Sequence, residues 1–273
     1  MKQINTLKEF YTCISNIWSR IFVAIIFMII FSFFRIQYLI EEYSSFFIKM
    51  GILDGVSVMF NEYTFPLVLA PIFAYVVVGV MNYENNHFRI VRNRLRKNIW
   101  LKSSIHTFLC SLFFTLIIVI CSALISVYFN SGFHNFWTEE GGKIHKILMY
   151  HLENGEIEIA AAEIASTLSL YNSFNVILLL TVFTTMGFTV IGLFIHLVYM
   201  YTNKFTYSYI SLILVMTVDT FSQKISFVFK QITIENGEWL NPNVLIWNFV
   251  YLLVLLIALY MIGKNTIDKR DFV

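Results

Sequence analysis

Four stretches of this chain, Tyr63 to Met81, Ser104 to Phe129, Val176 to Tyr201 and Leu240 to Ile262, contain no charged residue at all. Each is close to the roughly 20 apolar residues that carry a helix across the hydrocarbon of a bilayer. Composition agrees: the 273 residues are 58% hydrophobic and only 13% charged, where a soluble domain carries about a quarter. Two further candidate spans hold charges, Ile17 to Ile40 with Arg20 and Arg35, and Phe205 to Gln223 with Asp219. Their clean runs, Ile21 to Phe34 and Phe205 to Val218, are 14 residues each, so both reach spanning length only if the charged group faces protein or snorkels to the interface. The expected fold is all-α: one polytopic transmembrane domain over 1–273 with six spans.

Lysine and arginine set the expected orientation. With the N-terminus inside, the inner segments hold thirteen of them, six between Arg89 and Lys102, and the opposite side holds six. The positive-inside rule then puts both termini in the cytoplasm of a plasma-membrane protein. The opening Met1-Lys2-Gln3-Ile4 is followed by no small-residue cleavage site, so the first span is expected to stay in the mature protein. The outer side is acidic, and its largest piece is the loop 130–175. There Lys143 to Leu152 and Glu156 to Leu168 are helix-like stretches separated by Gly155, expected to form an external helical hairpin over the mouth of the bundle. Net charge is only +2, and no basic surface points to nucleic acid. Three cysteines, Cys13, Cys110 and Cys121, give no disulfide framework.

Before the first span, Ile4, Leu7, Tyr11, Ile14 and Trp18 recur at steps of three and four, with Lys2, Asn5, Lys8, Glu9 and Ser15 opposite. This spacing predicts an amphipathic interfacial helix over 1–19. In the segment 82–103, Phe88, Val91 and Leu95 share a helical face beside Arg89, Arg92 and Arg96. Such a helix suits a partner's groove and carboxylates, and six basic residues serve equally as a topology signal against anionic lipid.

A glutamate after the second span, then a basic helix, then a lysine at the head of the third resembles the membrane subunit of type-2 ATP-binding-cassette exporters. Glu84, Arg96 and Lys102 stand in those positions, and the end Asp268-Lys269-Arg270-Asp271-Phe272 is similar to the family's basic-then-aspartate tail. The resemblance implies that 82–103, with Glu84, Phe88, Arg89, Arg92, Arg96 and Lys102, couples to a cytoplasmic ATPase. It also implies a second membrane subunit, identical or related, and ATP with magnesium bound by the partner ATPase. The loop of about 45 residues between spans three and four is longer than the family's usual one.

Catalysis in this chain is not expected. No G-x-x-x-x-G-K-[ST] occurs, so ATP hydrolysis belongs to another chain. His106 and His196 stand alone on their spans and no metal-type cluster accompanies them, so neither a metal site nor a cofactor is assigned here. The 28 Phe and 15 Tyr favour an amphipathic or apolar cargo such as a peptide, bacteriocin, lipid or drug. The Ile, Phe and Asn bias suggests an AT-rich bacterial genome. Arg35 and Asp219 lie about 24 and 21 Å of helical rise from the inner surface, a common depth at which they form an intramembrane ion pair or snorkel separately. The rival functional class is a non-transporting immunity or sensor protein that holds an external peptide through its acidic loop.

This topology makes a direct prediction. Cysteines placed at Ser131 or Asn172 should react with an impermeant reagent from outside, and those at Asn98 or Asn265 only after permeabilisation. Labelling of position 98 from outside overturns the orientation.

Overall fold

A computed structural model describes residues 2–45, 49–84, 96–130, 134–153, 171–221, 228–234 and 238–269. Among them the regular structure is entirely helical. The elements are α1 (Lys2–Asn16), α2 (Trp18–Ser45), α3 (Ile52–Met59), a π-helical turn (Phe65–Leu69) leading into α4 (Ala70–Glu84), α5 (Arg96–Asn130), α6 (Lys143–Glu153), α7 (Ser173–Thr202), α8 (Phe205–Phe221), α9 (Phe229–Ile232), a 3-10 turn (Glu238–Leu240) and α10 (Pro242–Lys269). Five of these segments are long and apolar enough to cross a membrane: Trp18–Ser44, Phe65–Tyr83, Ile99–Asn130, Ser173–Thr202 and Pro242–Ile267. The sixth expected span, Phe205 to Gln223, appears as α8 with 17 residues, or about 25 Å of rise.

The bundle is built around α7. From Phe183 to Leu193 every residue of α7 is buried, so the helix is apolar on all faces because all its faces meet protein. By contrast α10 and α2 leave most of their apolar side chains outside. Phe188 of α7 is the hub of an aromatic cluster, 4.9 Å from Phe65, 4.6 Å from Phe73 and 5.3 Å from Phe114 between ring centroids. Offset and edge-on rings at these distances add about 0.5–1.5 kcal/mol per pair beyond their burial.

Helix α5 packs through small polar residues. Ser103, Thr107, Ser111, Thr115, Ser122 and Ser126 are all buried, and most return their hydroxyl to the carbonyl four residues earlier, as in Thr107 to Ser103 (2.9 Å) and Ser126 to Ser122 (2.8 Å). This satisfies the hydroxyl within its own helix and lets backbones approach closely. At Gly192 of α7 an added Cβ would run into the Thr107 methyl, so glycine is what permits the close α5–α7 approach there.

Two interruptions follow from backbone chemistry. Pro66 and Pro71 bracket the start of the second span, and proline removes a donor and crowds the carbonyl four residues back. The chain widens there into a π-helical turn, with the Ala70 amide donating to the Phe65 carbonyl. Just before it, the Asn61 side chain accepts from the amides of Tyr63 (3.2 Å) and Thr64 (2.7 Å). After α8 the chain turns back into the core as α9, where Ile232 lies against Gly187 in the middle of α7 and Phe229 lies 5.9 Å from Phe65.

Asp219 explains how α9 can start inside an apolar core. Its Oδ2 accepts from the amides of Val228 (2.8 Å) and Phe229 (2.6 Å), groups that a helix start leaves without intrahelical partners. Arg35 is engaged elsewhere: its guanidinium lies 5.5 Å from the Tyr38 ring centroid. The two residues thus have separate described neighbours, Tyr38 for Arg35 and the Val228 and Phe229 amides for Asp219.

Helix α1 docks on the bundle through Phe10, Cys13 and Ile14, followed by Ile17, while Tyr11 and Trp18 of the expected interfacial face remain 76% and 53% exposed. The apolar residues of α1 extend around more than one face, and contact with α4 and α5 selects the Cys13 side.

The Asp219 cap predicts that Asp219→Leu, which orphans two buried amides, costs about 1–3 kcal/mol and lowers the yield of folded protein. Asp219→Asn keeps an acceptor and should retain most of the stability, as read by thermal unfolding in detergent. Equal losses in the two variants would show that the capping oxygen is not what matters.

Candidate functional site

Two clusters of polar side chains stand at opposite ends of the bundle. At the end where α1 lies, Lys102 near the start of α5 pairs with Glu9 of α1, its Nζ 3.0 Å from Oε2 and 3.3 Å from Oε1. Both side chains are half-buried, so the pair is partly shielded from solvent. Phe10 adds a ring contact to His106 at 5.9 Å. The same stretch of α5 reaches α10, where the Trp100 indole N–H donates to the Tyr260 carbonyl (2.9 Å) and Gly263 leaves room for the Trp100 ring. It reaches α7 too, with Thr107 Oγ1 and His196 Nε2 3.3 Å apart. The base of α5 is thus tied to three other helices.

The sequence-predicted coupling residues meet this end of the bundle in part. Glu84 is the last residue of α4 and Arg96 the first of α5, so the segment between them joins the two helices at this end. Phe88, Arg89 and Arg92 lie outside the described residues. Lys102 is committed to Glu9, a partner in its own chain that the sequence spacing did not single out.

At the far end the organising group is Asp54, fully buried on the short helix α3. Its Oδ1 accepts from the Tyr43 hydroxyl (3.1 Å) and the Trp137 indole N–H (2.8 Å), and its Oδ2 from the Gly51 amide (2.8 Å). One carboxylate therefore joins the end of α2, the start of α3 and the loop after α5. Trp137 packs edge-on against Trp239 at 5.1 Å, and Trp239 against Tyr171 at 6.0 Å, which closes this end with aromatic rings before α7 and α10. The helix α6 lies over it with Ile144 and Leu148 buried. That is the first half of the expected hairpin; the second half, Glu156 to Leu168, lies outside the described residues.

Lys143 opens α6 and places its ammonium 5.6 Å from the Trp137 ring centroid. Burial holds the Asp54 carboxyl above the ordinary carboxylate range, outweighing the lowering pull of Lys143 and of the Gly51, Trp137 and Tyr43 donors. Burial lowers the Lys143 ammonium, opposed by the fields of Asp54 and Glu42. Beside this pair is a cavity of about 510 Å³ lined by Arg35, Glu42, Tyr43, Asp54, Asn61, Glu62, Tyr63, Lys143 and Trp239 among others. Among the described residues no group of three His, Cys, Asp or Glu side chains could hold a metal ion, and the three cysteines are free.

Sequence reasoning placed Asp54 only among the residues of an acidic side. The signal that could have found it is a single carboxylate within the apolar stretch Ile52 to Phe60, which is costly unless hydrogen-bonded.

No protein family, curated protein or solved structure matches this chain. The fold itself defines an all-helical protein with several helices able to cross a membrane.

The raised carboxyl of Asp54 fixes the sign of a pH effect. The folded state holds this proton more tightly than the unfolded chain, so the contribution to stability is complete below the ordinary carboxylate range and is lost as pH rises through the raised value. The midpoint of thermal unfolding should fall across that window, and Asp54→Asn should flatten the dependence. A wild-type profile unchanged by the substitution would remove Asp54 as its source.

Proposed function

We propose that this chain is the membrane subunit of an ATP-driven exporter, paired with a second membrane subunit, identical or related, and with separate cytoplasmic ATP-binding-cassette chains. In this reading α8 is the sixth span, both termini are cytoplasmic, and the partner chains bind ATP and magnesium. The cargo is amphipathic or apolar: a peptide, bacteriocin, lipid or drug.

The observation that best supports the reading is the Lys102–Glu9 pair at the base of α5. The basic segment 82–103 feeds directly into that base, and any displacement of it acts on α1 through Glu9, on α10 through Trp100 and on α7 through Thr107. An ATPase pulling on this segment would move several spans together, which is what coupling requires. The π-helical turn at Phe65–Leu69 gives the second span a point where it can bend. Helices α2 and α10 carry apolar faces that protein does not cover, available to lipid and to a second copy. A pathway between two copies suits a chain whose own core is filled by the Phe188 cluster.

Affinity purification of the tagged chain from its native host should bring down an ATPase whose turnover is stimulated by the complex. Charge reversal at Arg92 and Arg96 should cut that stimulation about tenfold or dissociate the ATPase, a loss equivalent to roughly 1.4 kcal/mol, with insertion unaffected. If no ATPase accompanies the chain, the non-transporting immunity or sensor reading replaces this one. Normal binding and turnover in the reversed variant would return the arginines to the role of topology signal.

A further inference from the structure

The cavity at the far end carries charges of both signs. Asp54, one of its lining residues, is occupied by three donors. Four other charged side chains line the space: Arg35 and Glu42 from α2, Glu62 from the turn before the second span, and Lys143 from α6. At about 510 Å³ it has the size of a small-molecule site.

We infer that this cavity holds the headgroup of a zwitterionic phospholipid, its phosphodiester toward Arg35 and Lys143 and its ammonium toward Glu42 and Glu62. Two cations and two carboxylates select a ligand that carries both charges. A purely anionic headgroup would meet Glu42 and Glu62, and a simple amine would meet Arg35 and Lys143, at a cost that grows as the site is desolvated.

The order of the charges along α2 favours a lipid over a soluble zwitterion. Arg35 and Glu42 stand seven residues apart, two turns and about 10 Å of rise, with Glu42 nearer the end of the helix. The arginine is therefore the deeper of the two. In a phospholipid the phosphate is likewise nearer the hydrocarbon and the ammonium farther out, whichever leaflet is concerned. Arginine is the residue that meets phosphate oxygens with two parallel N–H groups, and a primary ammonium offers carboxylates three donors. The setting is also that of a membrane boundary. On α2 beside Arg35, Tyr38 is 60% exposed, and Tyr63 in the cavity lining is 57% exposed, tyrosine being one of the residues that gather at headgroup level. This inference is independent of the exporter reading and needs only that α2 enters a bilayer.

The test uses the full chain in nanodiscs containing equal fractions of phosphatidylethanolamine and phosphatidylglycerol with identical acyl chains, followed by native mass spectrometry of retained lipid. Phosphatidylethanolamine should be retained on the order of tenfold over phosphatidylglycerol, the scale expected from charge-assisted hydrogen bonds. Glu62→Gln should abolish the preference, and Arg35→Gln should weaken retention of both lipids alike because both carry the phosphodiester, neither lowering the melting temperature. Equal retention of the two lipids by the wild-type chain overturns the proposal without recourse to any variant. So does a preference that survives in Glu62→Gln. Soluble glycerophosphoethanolamine should displace the lipid weakly; displacement at equal concentration would assign the site to a soluble ligand and overturn the lipid assignment.

Discussion

Hydrocarbon offers no water to an unpaired amide or carbonyl, and the placement of polar side chains in this structure answers that constraint. Continuous helices pair their own backbones, so the difficulty arises only where a helix starts inside protein or is broken. At three such places a side-chain oxygen is present. Asn61 takes the amides that precede the π-helical turn, Asp219 takes those that open α9, and Asp54 takes the Gly51 amide at the start of α3. On α5 Thr107, Ser111, Ser122 and Ser126 solve the smaller problem of their own hydroxyls by bonding back one turn. Asp219, costly as a charge within an apolar helix, thus has a structural role beside the two amides.

The same economy makes the two ends of the bundle unlike each other. The end near α1 is held by one ion pair, a tryptophan on a carbonyl and a threonine beside a histidine, all on the first turns of α5. Half-buried contacts of this kind exchange with modest energy, which suits the coupling role proposed for this element. The far end is held by a fully buried carboxylate with three donors and by three packed aromatic residues. Removing one partner there exposes a desolvated group, so that end is held more firmly than the end near α1.

Much of the architecture was legible because hydropathy is a local property. The four uncharged runs became α4 with its π-helical entry, α5, α7 and α10, and the first span became α2 despite Arg20 and Arg35. The first of these arginines shows how a charge is tolerated: its guanidinium donates to the Tyr75 carbonyl (3.1 Å) and lies 5.0 Å from the Tyr75 ring, along a surface where Gly79 leaves room. Less legible was which side of a short helix would dock. Helix α1 offers apolar residues around more than half its circumference, and only the shape of α4 and α5 chose Cys13 over Tyr11. Asp54 escaped notice because its donors come from Tyr43, Gly51 and Trp137, up to 83 positions away in the chain.

The sequence by itself determined that the chain is helical, which segments are apolar enough for a bilayer, and where the basic segment falls, because these depend on residues adjacent in the chain. Tertiary structure alone decided that α7 is the centre, that Asp219 caps a buried helix while Arg35 lines a cavity, and that Lys102 answers Glu9. Those outcomes depend on the rotation of each helix about its axis. Rotation is set by the fit of glycine, serine and phenylalanine surfaces between helices, and hydrophobic periodicity says little about it when a helix is apolar on every side.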